Sequence, residues 1–217
     1  MTRGAVFFDL DGTLTDPAEG ITAGMAYALE KLGRPVPSRK ELERFIGPHL
    51  RKTFPVMLGE TTPALIEQAI DLYRDYYVGQ KGMYACTVYP GVAEMLVQLA
   101  QAGHPLLTAT AKPTSFAEQI LEHFGLATPF TRIYGSEMDG TRADKGDLIA
   151  YIIERENLNP AIAWMVGDRG DDMRGAKACG VQALGVLWGY GAEDELRFAG
   201  ADDLVAHPKD VAKRVMG

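Results

Sequence analysis

The stretch FFDLDGTLTD, Phe7 to Asp16, decides how this chain is read. It closes an apolar run, GAVFFD (4–9), with two aspartates two residues apart, then a glycine and two threonines. A strand end takes one acidic residue for a turn, and two need another reason. Side chains two apart on extended backbone point to the same side, so Asp9 and Asp11 repel. A neighbouring cation, or a proton kept by one of them, removes the repulsion. A hard divalent cation that prefers oxygen ligands, Mg2+, meets that need. Gly12 permits a turn that other residues resist.

Working outward, WMVGDRGDDMRGAKACG (164–180) repeats the device: Asp168, Asp171 and Asp172 follow another apolar run. Helix starts favour acidic residues, but a cap needs one carboxylate and not three. The strand bearing Asp168 is expected beside the first strand, where Asp168 completes a metal site begun by Asp9. HPLLTAT (104–110), TRIYG (131–135) and VQALGVLWG (181–189) are also apolar on both faces, as buried parallel strands are. Amphipathic segments lie between them, among them VAEMLVQLAQAG (92–103), SFAEQILEHFG (115–125) and DKGDLIAYIIEREN (144–157). This βαβ rhythm predicts an α/β fold, a Rossmann-like parallel sheet with helices on both faces.

Between Pro17 and Thr87 the rhythm stops, and ITAGMAYALEKLG (21–33), SRKELERFIG (38–47) and PALIEQAIDLYRDYYVGQ (63–80) carry helical patterns only. The expected organisation is a core of residues 1–16 and 88–217 and an inserted all-helical cap of residues 17–87. An insert after the first strand leaves from the carboxyl end of the sheet, where ligands of such folds bind, and so is placed to act as a lid.

Composition excludes several classes. The 217 residues carry 24 % charged and 47 % hydrophobic side chains, an ordinary globular balance. A formal net charge of -7 argues against nucleic acid, which needs a basic stripe. No run approaches the roughly 20 apolar residues of a membrane span, and the opening MTRGAVFF is too short for a signal peptide, so a cytoplasmic protein is expected. Cys86 and Cys179 stand apart, outside any zinc or disulfide spacing.

Other stretches offer partial signals. In LLTATAKP, Thr110, Ala111 and Lys112 present a hydroxyl and backbone amides at an expected helix start, a seat for an anion. In GTRADKGDL, Lys145 opens a helix against its dipole, where a solvated lysine is the plainer reading. FIGPHLRKTF places Gly47, His49, Arg51 and Lys52 in a cationic turn of the insert, able to meet a substrate's remote end or simply to start a solvated helix. GYGAED holds a lone GxG and supports no dinucleotide site. RKT lacks the glycines of a P-loop. Tyr73, Tyr76 and Tyr77 are expected to pack within the insert, with a nucleobase contact as the alternative.

Taken in order, DLDGTLTD, the threonine of TAKP, Lys145 and GDRGDD resemble the four motifs of the haloacid-dehalogenase-like phosphohydrolases, in particular their phosphoglycolate-phosphatase-like branch. The resemblance implies a nucleophile at Asp9, an acid and then base at Asp11, and an aspartyl-phosphate intermediate. It implies Mg2+ on Asp9, Asp11 through its carbonyl, and Asp168, with Asp172 orienting the shell. Thr110, the Ala111 amide and Lys145 would bind the phosphoryl oxygens, and Gly47 and Arg51 the rest of a small phosphorylated metabolite. Lys112 competes with Lys145, and Asp171 with Asp172. Ala111 departs from the asparagine or serine of many relatives and keeps only the amide. Expected alternatives are a nucleoside monophosphate 5'-nucleotidase, a sugar phosphomutase and a non-enzymatic phosphoacceptor. A dehalogenase would lack the acid at Asp11. The oligomeric expectation is a monomer or homodimer.

Overall fold

The structure is a computed structural model describing residues 3–80 and 82–217. Met1, Thr2 and Lys81, which the expected core and insert include, lie outside the described residues. The chain divides into two compact units, one of residues 1–16 and 88–217 and one of residues 17–87.

The first unit begins with β1 (Val6–Phe8) and β2 (Thr15–Asp16). The second contains α1 (Ala18–Lys31), α2 (Arg39–Glu43), α3 (Leu50–Leu58) and α4 (Pro63–Arg74), ended by a π-turn at Asp75–Gly79. Ser38 and Glu41 form a capping box that starts α2. Tyr73 and Tyr77 are buried and stacked at 5.2 Å, so these aromatics serve the unit's own core.

After β3 (Thr87–Val88) the first unit resumes with α5 (Val92–Gln101), β4 (Leu106–Thr108), β5 (Thr110–Pro113), α6 (Thr114–His123) and β6 (Gly135–Ser136). It ends with α7 (Lys145–Glu156), β7 (Trp164–Gly167), α8 (Gly170–Ala178), β8 (Gln182–Val186), α9 (Glu193–Phe198), β9 (Asp203–Val205) and α10 (Pro208–Met216). Five strands make a parallel sheet in the order β4-β1-β7-β8-β9. Its first strand is therefore near the centre, and Val6 faces Leu106 on one side and Trp164 on the other.

The two-residue alternation of β1 feeds two cores. Phe7 packs with Leu107, Met165 and Ala183 and with Leu148, Ile149 and Ile152 of α7, Met173 and Ala176 of α8 and Leu196 of α9. Val6 and Phe8 are also fully buried, Phe8 edge-on to Phe130 at 6.2 Å. Burial on both faces is what a parallel sheet covered by helices requires.

Two expected elements differ in detail. TRIYG is not a full strand: its pairing reduces to a bridge between Arg132 and Leu107 and to Gly135 against Thr110. It lies outside the edge strand β4, and Thr131 and Arg132 are exposed, so nothing buries a longer strand there. Thr110–Pro113 is extended, and the helix starts only at Thr114. Pro113 accounts for this, since the residue before a proline is pushed away from helical backbone.

Candidate active site

Asp9 and Asp11 leave the end of β1, Thr110 follows β4, and Asp168 follows β7. Since these three strands are adjacent, their carboxyl ends gather residues from three parts of the chain. The join is tight. Gly12 has φ of 82°, and a Cβ there would fall 2.2 Å from Asp168 Oδ2. Only glycine allows both the turn and the approach.

The carboxylates are deeply buried: Asp9, Asp11, Asp168 and Asp172 are 3, 8, 0 and 1 % exposed. Oxygens of Asp9, Asp168 and Asp172 lie within 4.8 Å of one another. Two buried ammonium groups answer them. Lys145 Nζ is 2.7 Å from Asp172 Oδ1 and 3.2 Å from Asp9 Oδ1, and donates to the Ala109 carbonyl at 2.7 Å. Lys112 Nζ is 2.9 Å from Asp11 Oδ2. The two lysines thus divide the aspartates between them. The Lys145 that opens α7 against its dipole is held by two carboxylates and a carbonyl, which is the reason a solvated lysine does not fit.

Proton affinities follow from this crowding. Burial raises the pKa of Asp168 well above the usual carboxylate range, and Asp172 and Asp9 raise it further. Burial lifts Asp172 to about 6, with Asp9 adding to the rise and Lys145 opposing it. Asp11 is raised by burial, against the attraction of Lys112. Burial pulls Lys145 down, but Asp172 and Asp9 overcome it and hold the amine charged above its ordinary range.

Four carboxyl groups face two ammonium groups, so their full ionisation would leave an excess of negative charge in a buried place. The all-oxygen donor set of Asp9, Asp168 and Asp172 fits a hard divalent cation, which would supply the missing charge. The side chain of Asp11 stands outside that cluster, turned to Lys112, and its Oδ1 is buried without a hydrogen-bond partner among the described residues.

The remaining expected residues are placed as follows. Thr110 is buried, and its Oγ1 accepts from the Lys112 amide at 3.3 Å, closing a local turn. The preceding Ala109 receives Lys145 on its carbonyl and bonds Phe8 through its amide, which fixes Thr110 beside β1. Ala111 is tied by its carbonyl to Ser136 Oγ at 2.8 Å. Asp172, and not Asp171, caps α8: its Oδ2 accepts from the Arg169 amide at 3.0 Å, while Asp171 pairs with Arg174 at the surface. Gly47 and Arg51 belong to the second unit, where Arg51 makes a two-bond pair with Glu67 at 2.8 and 2.7 Å. His49 caps α3 by accepting from the Arg51 amide, and burial with the nearby Arg51 holds its pKa down at about 4.

Sequence reasoning missed a second layer around Asp168. Thr13 Oγ1 donates to Asp168 Oδ1 at 3.3 Å, the Tyr190 amide donates to Oδ2 at 2.8 Å, and Trp188 Nε1 donates to the Thr13 carbonyl at 3.0 Å. The glycines flanking Tyr190 were its one visible signal.

The parallel sheet thus gathers buried aspartates and lysines at its strand ends, in a cluster that could hold a divalent cation. Residues 6–186 match the haloacid dehalogenase-like hydrolase family, and the chain belongs to it. It is a phosphoric monoester hydrolase of that family. It is 44 % identical to a 5'-nucleotidase of Pseudomonas aeruginosa, over 88 % of this chain and 86 % of that one. It is 39 % identical to tyrosine-protein kinase PtkA of Mycobacterium tuberculosis over 87 % of its own length, and spans 64 % of PtkA. A phosphoglycolate phosphatase of Vibrio parahaemolyticus is 28 % identical, over 85 % of this chain and 84 % of that one. Among solved structures, a predicted phosphatase of Clostridium acetobutylicum superposes with a TM-score of 0.95 at 40 % identity, covering 100 % of this chain and 99 % of that one. No helix among the described residues is long and apolar enough to cross a membrane.

Proposed function

We propose that this chain is a Mg2+-dependent phosphatase that hydrolyses a small phosphomonoester through an aspartyl-phosphate on Asp9. The observation that carries the proposal is the pairing of Asp9 with the buried Lys145, 3.2 Å away, beside a second buried acid, Asp11. An Asp9 oxygen attacks phosphorus, and the bond from phosphorus to the leaving oxygen breaks. Asp11, whose burial favours its protonated form, gives that oxygen a proton and later takes one from the water that cleaves the aspartyl-phosphate. Lys145, Thr110 and the Ala111 amide bind the phosphoryl oxygens, where fixed charges are most effective away from water. Asp9, Asp168 and Asp172, with the Asp11 carbonyl, would hold the cation, which would supply positive charge beside the transferring group.

For the substrate, we place a nucleoside monophosphate ahead of phosphoglycolate. The support is the 44 % identity to a 5'-nucleotidase, against 28 % to a phosphoglycolate phosphatase. The turn at Gly47 and Arg51 is proposed to contact the part of the substrate remote from phosphorus, with residues 17–87 acting as a cap.

Phosphate release from nucleoside monophosphates, phosphoglycolate and sugar phosphates, with Mg2+ or EDTA and with Asp9→Asn as blank, tests the proposal. Metal-dependent release from nucleoside monophosphates is expected. Release that persists in Asp9→Asn refutes the covalent route, and preference for phosphoglycolate reverses the order of substrates.

A further inference from the structure

The segment LWGYG (187–191), left without a role by its lone GxG, lies against the metal carboxylate. A Cβ at Gly189 would fall 2.3 Å from Asp168 Cβ and 2.4 Å from the Gly12 carbonyl, and one at Gly191 would fall 1.9 Å from the Asp168 carbonyl. Both glycines are therefore demanded by close approach, and the residue between them delivers its amide to Asp168 Oδ2 at 2.8 Å. The Tyr190 side chain then reaches back across the unit: its hydroxyl donates to Asp16. Asp16 is the last residue before the chain leaves the first unit.

We infer that Tyr190 is a positioning residue of the metal site, its hydroxyl anchored on Asp16 so that its amide fixes the orientation of Asp168. This rests on the metal-dependent reading above. The physical ground is general: a ligating carboxylate is aimed by the hydrogen bonds it accepts, and removing such outer partners typically costs about 10–100-fold in metal affinity or activity. An amide on a five-residue loop holds its direction only as well as the loop is held. Trp188 pins one side of it to the Thr13 carbonyl, and the Tyr190 hydroxyl pins the other.

The test measures Mn2+ binding to the full chain directly, by calorimetry and by the spin-resonance signal of free Mn2+, well below the unfolding temperature. Tyr190→Phe keeps the ring and the amide and removes the anchor. We expect its Mn2+ dissociation constant to rise by roughly tenfold, with kcat largely recovered at saturating Mg2+ and the Mg2+ concentration for half activity raised in parallel. Asp16→Ala should behave alike, whereas Asp16→Asn, which keeps an acceptor oxygen, should bind Mn2+ within about twofold of the parent. Unchanged Mn2+ affinity in both Tyr190→Phe and Asp16→Ala, with only a lower melting temperature, overturns the positioning role and leaves the metal site standing. A parent protein that binds no Mn2+ overturns the metal-dependent reading and this role together.

Discussion

Lys145→Met puts the charge balance of the site under direct test. The lysine is 6 % exposed and touches two buried carboxylates and one carbonyl. Methionine fills most of its volume, so the effect is chiefly electrostatic. Removing one partner of a buried pair leaves an uncompensated charge and costs about 3–5 kcal/mol. For a chain of this size, each kcal/mol moves the melting temperature by roughly 2–4 °C, which gives a fall of about 6–20 °C. The fall should be largest in EDTA at pH 8. It should shrink at pH 5, where Asp172, freed from the lysine that opposes its rise, takes up a proton. It should also shrink with added Mg2+, which supplies charge to the same carboxylates. Lys112→Met removes the partner of Asp11 and leaves the Asp9, Asp168 and Asp172 cluster paired as before, so Mg2+ should rescue it less. The assay is thermal unfolding of both variants with EDTA and with Mg2+, alongside phosphate release. A fall of under about 2 °C for Lys145→Met in EDTA, or a larger loss of activity in Lys112→Met, would refute the reasoning.

Four further outcomes are expected. Asp9→Asn should lose turnover and stay folded, as read by phosphate release and circular dichroism. Because Asp168 and Asp172 hold protons above the usual carboxylate range, metal binding near pH 6 should release protons, and affinity should fall on acidification. Calorimetry in buffers of different ionisation enthalpy reads this, and an identical heat in all of them would contradict it. The sign for folding runs the other way: with carboxyl pKa values raised in the folded state, the metal-free protein should gain stability as pH drops from 7 towards about 5. Arg51→Ala should raise KM and leave kcat near the parent value if the turn contacts only the remote part of the substrate, and cost at most about 1 kcal/mol because its pair with Glu67 is part-exposed.

The sheet and its inserted helical stretch were legible because both rest on short-range patterns: runs apolar on both faces, helical periods and glycine stops. Asp9 and Asp168 stood out because each brings an acid too many to a strand end, whereas Lys145, a base at the wrong helix end, stood out only through its place in the motif order. What lay hidden depends on separation along the chain. Nothing in VFFDLDGT says that Thr13 will meet Asp168 or Trp188, 155 and 175 residues on. The division of Asp9 and Asp11 between Lys145 and Lys112 is likewise decided only by where α7 and β5 are set. The edge strand β9 escaped because it is three residues long, Asp203–Val205, and only Val205 is buried, too short a run to show a pattern.

The central place of β1 has a consequence for synthesis. The first strand to leave the ribosome is held between β4 and β7, whose residues come about 100 and 160 positions later. Until then Val6, Phe7 and Phe8 have no sheet to enter, and the growing chain carries an apolar edge of the kind that invites aggregation. The carboxylates at the end of that strand remain unassembled for as long. Asp168 and the Tyr190 amide must both emerge before the cluster can close. Chains stalled or truncated ahead of Tyr190 would carry Asp9 but never the finished cluster.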